Sequence, residues 1–394
     1  MTAAVVLKPG REQSLQRFHP WVFSGAIARI EGHPAEGDVV QVLGTQGNML
    51  ARGHYHSGSI SVRVLTFEPE PIDTSFWQRK LAAALALRQQ LGLLNDHSTS
   101  TFRLVHGEGD GLPGLVVDVY GTTAVLQCHS VGMYRIRELL AQQLIALPRS
   151  PIRAVYDKSS TTVPMRERLT PIDGPLAGAP PSTDMVLEHG CKFNVSWTEG
   201  QKTGFFIDQR ENRQLLRELS HGQAVLNTFC YTGGFSVYAL AGGARSVVSV
   251  DSSAKAVEAT TANVNLNFGL QAPHQAIAMD TFEYLRTHLE PFDIIVLDPP
   301  AFAKHGGALR NALQAYKRLN LAALKRLRPG GLLLTFSCSQ VVDRQSFRNA
   351  VFSACAIAGR EARIVHQLSQ PADHPINMYH PEGEYLKGLV LQVG

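Results

Sequence analysis

From residue 224 onward, short apolar runs alternate with amphipathic stretches. Residues 224–229 form a continuous apolar run of strand length, residues 235–241 are helical in pattern, and Gly242-Gly243 stops that helix. A second β-rich run, 246–250, ends in Asp251. A helix at 254–267 follows, then a strand at 274–279 ending in Asp280 and a short helix to residue 288. The apolar strand 292–297 ends in Asp298, and a basic helix covers 308–327. Pro329-Gly330-Gly331 is expected to turn the chain into a fifth strand at 332–336. Another helix and strand come next, and 385–393 is expected as a last strand at the sheet edge. Runs of this length and spacing predict an α/β domain with an open, doubly wound sheet.

The first 220 residues or so are patterned differently. Short β runs near residues 4–7, 17–27, 38–43, 49–55 and 59–65, with turn residues between them, predict a small barrel with Trp21 and Phe23 in its core. Pro69, Pro71 and 73–75 form a linker, where Thr74 or Ser75 is expected to cap a helix running to residue 94. Strands at 102–106, 114–120, 123–128 and 154–156, with a helix at 134–146, suggest a small α+β domain. The glycines of 107–114 fit a hairpin connection, and the Pro-rich stretch 171–181 is expected to be a loop. A strand and hairpin at 186–195 precede a helix that Asp208 is placed to cap. The predicted divisions are 1–72, 73–185 and 186–394.

Strand, glycine turn, helix, strand and acid, in that order, make a nucleotide-binding unit, because an acid ending the second strand can accept hydrogen bonds from ribose hydroxyls. The turn Cys230-Tyr231-Thr232-Gly233-Gly234 lacks the third glycine that a dinucleotide pyrophosphate requires. It suits an adenosine ligand without phosphate, and S-adenosylmethionine (SAM) is the common one. Ligands of such sheets collect at the carboxyl ends of the strands, where Asp251, Asp280, Asp298 and Cys338 all fall. A cysteine there has a specific use. A thiolate added to carbon 6 of a pyrimidine makes carbon 5 nucleophilic toward a methyl donor. Asp298 could hold the ring at N3 while charge develops.

At 394 residues two or three domains are expected, and 44% hydrophobic with 18% charged residues marks a globular chain. No long apolar run predicts a membrane span or secretion signal, so a cytoplasmic protein is expected. The five cysteines are scattered without a C-x-x-C pair, which predicts neither zinc nor disulfides. A net charge of +4 permits an anionic partner, and Lys8, Arg11, Arg17 and Lys304 are candidate phosphate contacts.

The motifs FHPWVFSGAI, TGFFIDQR, NTFCYTGGFSVYALAGGA, VDSS, DPPAF and TFSCS together resemble the bacterial large-subunit ribosomal RNA cytosine-C5 methyltransferase I family. The resemblance extends from Arg17 to the C-terminus. It implies an N-terminal PUA-like RNA-binding domain, an α+β middle domain and a class I SAM-dependent domain acting on 23S ribosomal RNA. It implies a SAM site lined by Phe206, Asn227, Phe229, Tyr231, Gly233 and Ser252. Within that site, Asp251 would bind the ribose, Asp280 would lie near the adenine amino group, and Asp298 would border the cofactor. Cys338 would be the nucleophile, and a homodimer is left open. One departure matters. Many RNA cytosine-C5 methyltransferases carry a second cysteine just after the strand-four proline, where this chain has Pro300. The single cysteine also resembles RNA uracil-C5 enzymes, and DPPAF resembles the motif of enzymes that methylate base nitrogens. Both stay open, as does a non-catalytic RNA-binding factor on this fold.

Overall fold

The computed structural model describes residues 3–164, 169–181, 183–303 and 306–394. The chain divides into two compact units. The first is Met1–Val186 with Val195–Ile207 and Ala372–Gly383, and the second is Leu187–Asn194, Asp208–Pro371 and Glu384–Gly394.

The first unit opens with a six-stranded sheet. Its order is Trp21–Phe23, Ile60–Thr66, Met49–Tyr55, Val39–Leu43, Ala4–Leu7 and Ile27–Glu31. Val5, Leu7, Val22, Val40, Val42, Val62 and Val64 form its core. Because successive side chains of a strand face opposite ways, burying Val22 turns Trp21 and Phe23 outward together. Phe23 is 46% exposed, which corrects its expected place in the core. The indole of Trp21 donates to Glu108 Oε1 at 2.8 Å.

A five-stranded sheet follows, ordered Gly174–Ala177, Ala154–Asp157, Thr123–Cys128, Leu115–Tyr120 and Thr101–His106. Gly174–Ala177 lies within the stretch expected to be a loop. It pairs antiparallel with Ala154–Asp157 despite Pro175, as a sheet edge permits. Helix Thr74–Gln90 buries Phe76, Trp77, Leu81 and Leu85. Its cap is Asp73, which accepts from the Phe76 N–H at 2.9 Å, rather than Thr74 or Ser75. Arg88 on this helix is fully buried. It pairs with Asp110 and donates to the carbonyl of Asp373 at 2.6 Å. The carboxylate of Asp373 in turn accepts the N–H of Arg103 at 2.9 Å, so residues 372–383 are tied into this unit.

The second unit is built on seven strands, named here β1 (Ala224–Thr228), β2 (Ser246–Asp251), β3 (His274–Ala278), β4 (Phe292–Leu297), β5 (Leu327–Ser337), β6 (Ala362–Leu368) and β7 (Lys387–Val393). Their order is β3-β2-β1-β4-β5-β7-β6. Neighbours from β3 to β5 are parallel, and β7 runs antiparallel to both β5 and β6. Helices α1 (Arg210–Leu219), α2 (Gly234–Ala241) and α3 (Ala254–Phe268) pack on one another. So do α4 (Thr281–Thr287), α5 (Leu309–Leu324) and α6 (Arg344–Ala358), over Leu226, Ile295, Leu297 and Leu333.

Three expectations change here. The last strand is interior, because residues 387–391 are all buried while β6 is largely exposed and takes the edge. Pro329-Gly330-Gly331 lies inside β5 as a bulge, where the register passes from Phe292↔Leu327 to Ile294↔Leu332. Asp208 does not cap α1, whose N-cap is Gln209; its Oδ2 instead accepts the Tyr385 hydroxyl at 2.8 Å.

Candidate active site

Strand β1 delivers the chain into a loop held in costly backbone conformations. Phe229, Tyr231 and Gly233 all have positive φ, at 54°, 48° and 81°. A Cβ on Gly233 would meet Thr260 Cγ2 at 2.7 Å, so only glycine fits beside α3. Helix α3 holds the loop from below. Thr260 donates to the Tyr231 carbonyl at 2.8 Å and Asn263 to that of Thr232 at 2.9 Å.

Asp251, half-buried at the end of β2, accepts the N–H of Tyr231 at 3.0 Å on one oxygen and that of Ser253 at 2.9 Å on the other. Its carboxylate is therefore fixed between the loop and the start of α3, with lone pairs left for further donors. Ser252 is exposed beside it. Asp280, exposed beyond β3, caps α4 by accepting the Glu283 N–H at 3.0 Å. Oriented carboxylates and aromatic side chains around a turn without a phosphate cradle fit the ribose and adenine of SAM. Asn227 is placed differently. It is 1% exposed inside β1 and donates to Ser236 Oγ at 2.8 Å, a bond that docks α2 on the strand.

Strands β4 and β5 bring the second half together. Asp298 is half-buried after β4, and Cys338, half-buried after β5, sets its Sγ 4.0 Å from the carbonyl of Pro299. Ser339 Oγ donates to the Ala303 carbonyl at 2.6 Å, tying the cysteine loop to the DPPAF loop. Beneath them lies Tyr316 of α5, which accepts from Ser337 Oγ at 2.9 Å and packs on Phe302 with ring centroids 4.8 Å apart. Burial pushes the Tyr316 phenol up to about 12, with Cys338 and Asp298 adding to the rise, so it is neutral at pH 7. Lys387 at the start of β7 donates to the Ser339 carbonyl at 2.7 Å. Neither Tyr316 nor Lys387 carries a sequence signal. Both reach the site through tertiary packing, and an amphipathic helix or a strand start looks the same with or without such a neighbour.

The structure thus gathers Phe229, Tyr231, Gly233, Asp251, Asp280, Asp298 and Cys338 along one edge of one sheet. Phe206, Lys8, Arg11 and Arg17 belong to the first unit. Lys202 lies over the Phe206 ring at 5.0 Å, and Lys8 Nζ donates to the Gly25 carbonyl at 3.0 Å. Arg11 and Arg17 are exposed, and Lys304 lies outside the described residues. Among the described residues no helix is long and apolar enough to cross a membrane.

Comparison with known proteins identifies the family and the fold. Residues 103–378 match the S-adenosylmethionine-dependent methyltransferase family, and residues 5–67 match the PUA-like domain. The chain is 43% identical to the ribosomal RNA large subunit methyltransferase I of Aeromonas hydrophila, with all of both chains covered. It is 41% identical to the protein of that name from Escherichia coli O1:K1, again with all of both chains covered. A Streptococcus mutans structure described as a SAM-dependent methyltransferase shares the fold over the whole of both chains, with a TM-score of 0.84 at 22% identity.

Proposed function

We propose, from the premise that this chain belongs to the ribosomal RNA large subunit methyltransferase I family of SAM-dependent enzymes, that its target is carbon 5 of a cytosine in 23S ribosomal RNA. In this reading Cys338 forms a covalent bond to carbon 6. The observation that carries it is the position of Cys338. It ends the strand beside the one carrying Asp298, and it is half-buried where the other four cysteines are buried.

SAM supplies an electrophilic methyl group when bound. Asp251 would hold its ribose, Phe229, Tyr231 and Gly233 its flanks, and Asp280 its adenine end. The remaining chemistry falls to the protein's own side chains. The Cys338 thiolate attacks carbon 6, and Asp298, carrying a proton, donates it to N3, where the addition places negative charge. Carbon 5, now electron-rich, takes the methyl group. A base takes the carbon 5 proton, the N3 proton returns to Asp298, and the sulfur departs with its electron pair, which restores the ring. A pyrimidine must leave its stack to reach a strand-end thiol, so the substrate is single-stranded or locally opened RNA. Lys8, Arg11, Arg17 and Lys304 are proposed phosphate contacts, Phe206 a wall of the SAM site, and the divisions 1–72, 73–185 and 186–394 the domains.

The test uses methyl-labelled SAM, unmodified 23S RNA and the wild-type and Cys338→Ala proteins, with the labelled nucleoside identified after digestion. Label in 5-methylcytidine for the wild type alone is the expected result. Pro300, in the slot of a second cysteine, makes 5-methyluridine the other outcome to look for. That product would keep the mechanism and change the base. Label on a nitrogen, or an active Cys338→Ala protein, would end the covalent reading.

A further inference from the structure

Lys387 brackets the cysteine. It pairs across β5 and β7 with Ser337, the residue before Cys338, and its ammonium donates to the carbonyl of Ser339, the residue after it, at 2.7 Å. It is 3% exposed. Among the described residues no carboxylate lies within ion-pair distance of its nitrogen. A buried ammonium without a carboxylate is expensive, and folds keep one where the charge has a use.

We propose that Lys387 activates Cys338, its ammonium stabilising the thiolate both when sulfur attacks the pyrimidine and when sulfur leaves it. The proposal rests on the reading of Cys338 as the nucleophile. In the ionisation step the S–H bond breaks, the electron pair stays on sulfur, and the proton passes to water while Lys387 keeps its own. In the release step the carbon 6–sulfur bond breaks and its pair returns to sulfur. A stabilised leaving thiolate lessens the need for the second cysteine that Pro300 replaces.

The charged groups that act on Lys387, besides Cys338, are Glu384, Asp343 and Arg344, and Arg344 is itself paired with Glu384. Tyr316, neutral at pH 7, is itself acted on by both Cys338 and Asp298. Burial holds the Lys387 ammonium down to about 8, opposed first by Cys338. The lysine is therefore charged at pH 7 and loses its proton as the pH rises through that value.

Iodoacetamide reads the thiolate directly, and only Cys338 among the five cysteines is not buried. Its alkylation rate is measured by peptide mass spectrometry from about pH 5.5 to about pH 9.5 on full-length wild type, Lys387→Met and Lys387→Arg, a range spanning the ordinary thiol. Lys387→Met is expected to raise the midpoint by about one pH unit and slow the reaction at pH 7 about tenfold. Lys387→Arg should keep the low midpoint and retain the benefit above pH 8, where the wild type loses it. Circular dichroism confirms that each variant is folded, and the arginine arm stands if the methionine protein is not. Coincident profiles for wild type and either folded variant in its expected region of difference would overturn the proposal. The two failures are distinguishable. Coincident profiles with an inactive Cys338→Ala protein remove only the role of Lys387. An active Cys338→Ala protein removes the nucleophile and with it the catalytic role of Lys387, shifted profiles then showing only that the ammonium stabilises the thiolate.

Discussion

Phe229 and Tyr231 occupy backbone conformations that cost a bulky side chain about 1–3 kcal/mol each. Their surroundings sustain that cost, and Asp251 is central because it holds the Tyr231 N–H as well as facing the proposed ribose. Asp251→Asn would turn an amide N–H toward one of its two backbone donors. SAM affinity, read by titration calorimetry, is expected to fall at least about tenfold, by loss of a charge-assisted hydrogen bond of roughly 1.5–3 kcal/mol. Unchanged affinity would remove Asp251 from the site. The acids and Cys338 were legible in the sequence because each follows a strand, and strand ends converge in a doubly wound sheet. Lys387 was not, since its partner Ser339 lies 48 residues away and only the antiparallel register joins them. Asn227, another expected cofactor contact, is buried in β1, where its Nδ2 donates to Ser236 Oγ and its Oδ1 has no hydrogen bond.

Among the elements, β7 couples the sheet to the chemistry. It is wedged between β5 and β6, and Gly388 lets it close on β5, since a Cβ there would meet the Phe336 ring at 2.6 Å and Leu368 Cβ at 2.9 Å. Phe336 stands two residues before Cys338. Gly388→Ala is expected to cost about 1–3 kcal/mol in urea unfolding, by overpacking. It should lower kcat, because Phe336 leads toward the thiol, and raise KM for SAM as well, because the same ring packs on Phe235 behind the Gly233 turn with centroids 5.7 Å apart. Equal stability of the two proteins would contradict this packing account. The alternation of strands and helices was legible from periodicity. The interior place of β7 and the pairing of Gly174–Ala177 were not, because strand order depends on partners distant in sequence. The bulge in β5 was misread as a turn because Pro-Gly-Gly is also turn chemistry.

For the whole molecule, buried histidines set the response to acid. His54 stacks on Trp77 at 5.9 Å, and a Cβ on Gly132 would come within 2.3 Å of its ring. Burial lowers its pKa from the ordinary 6.5 to about 3, with His56 and Arg135 adding to the effect and Asp38 opposing it. Burial likewise lowers His129 to about 4, helped by Arg103 and opposed by Glu108. With folded values below the unfolded one, stability is full above about pH 6.5 and falls as acid protonates the unfolded chain first. Each histidine then removes roughly 1.4 kcal/mol per pH unit. Unfolding free energies from urea titrations at pH 7 and pH 5 should therefore differ by several kcal/mol, and equal values would mean that these rings titrate while folded. Residues 372–383, fastened to Arg88 and Arg103, carry a different consequence, one of timing. The ribosome finishes Val186 long before it makes Asp373. At about 5–20 residues per second the wait is on the order of 10–40 s. Through that interval Arg88 has Asp110 but not the carbonyl of Asp373, and the Arg103 N–H lacks the Asp373 carboxylate, so the final locking of the N-terminal unit waits until most of the second unit has been made.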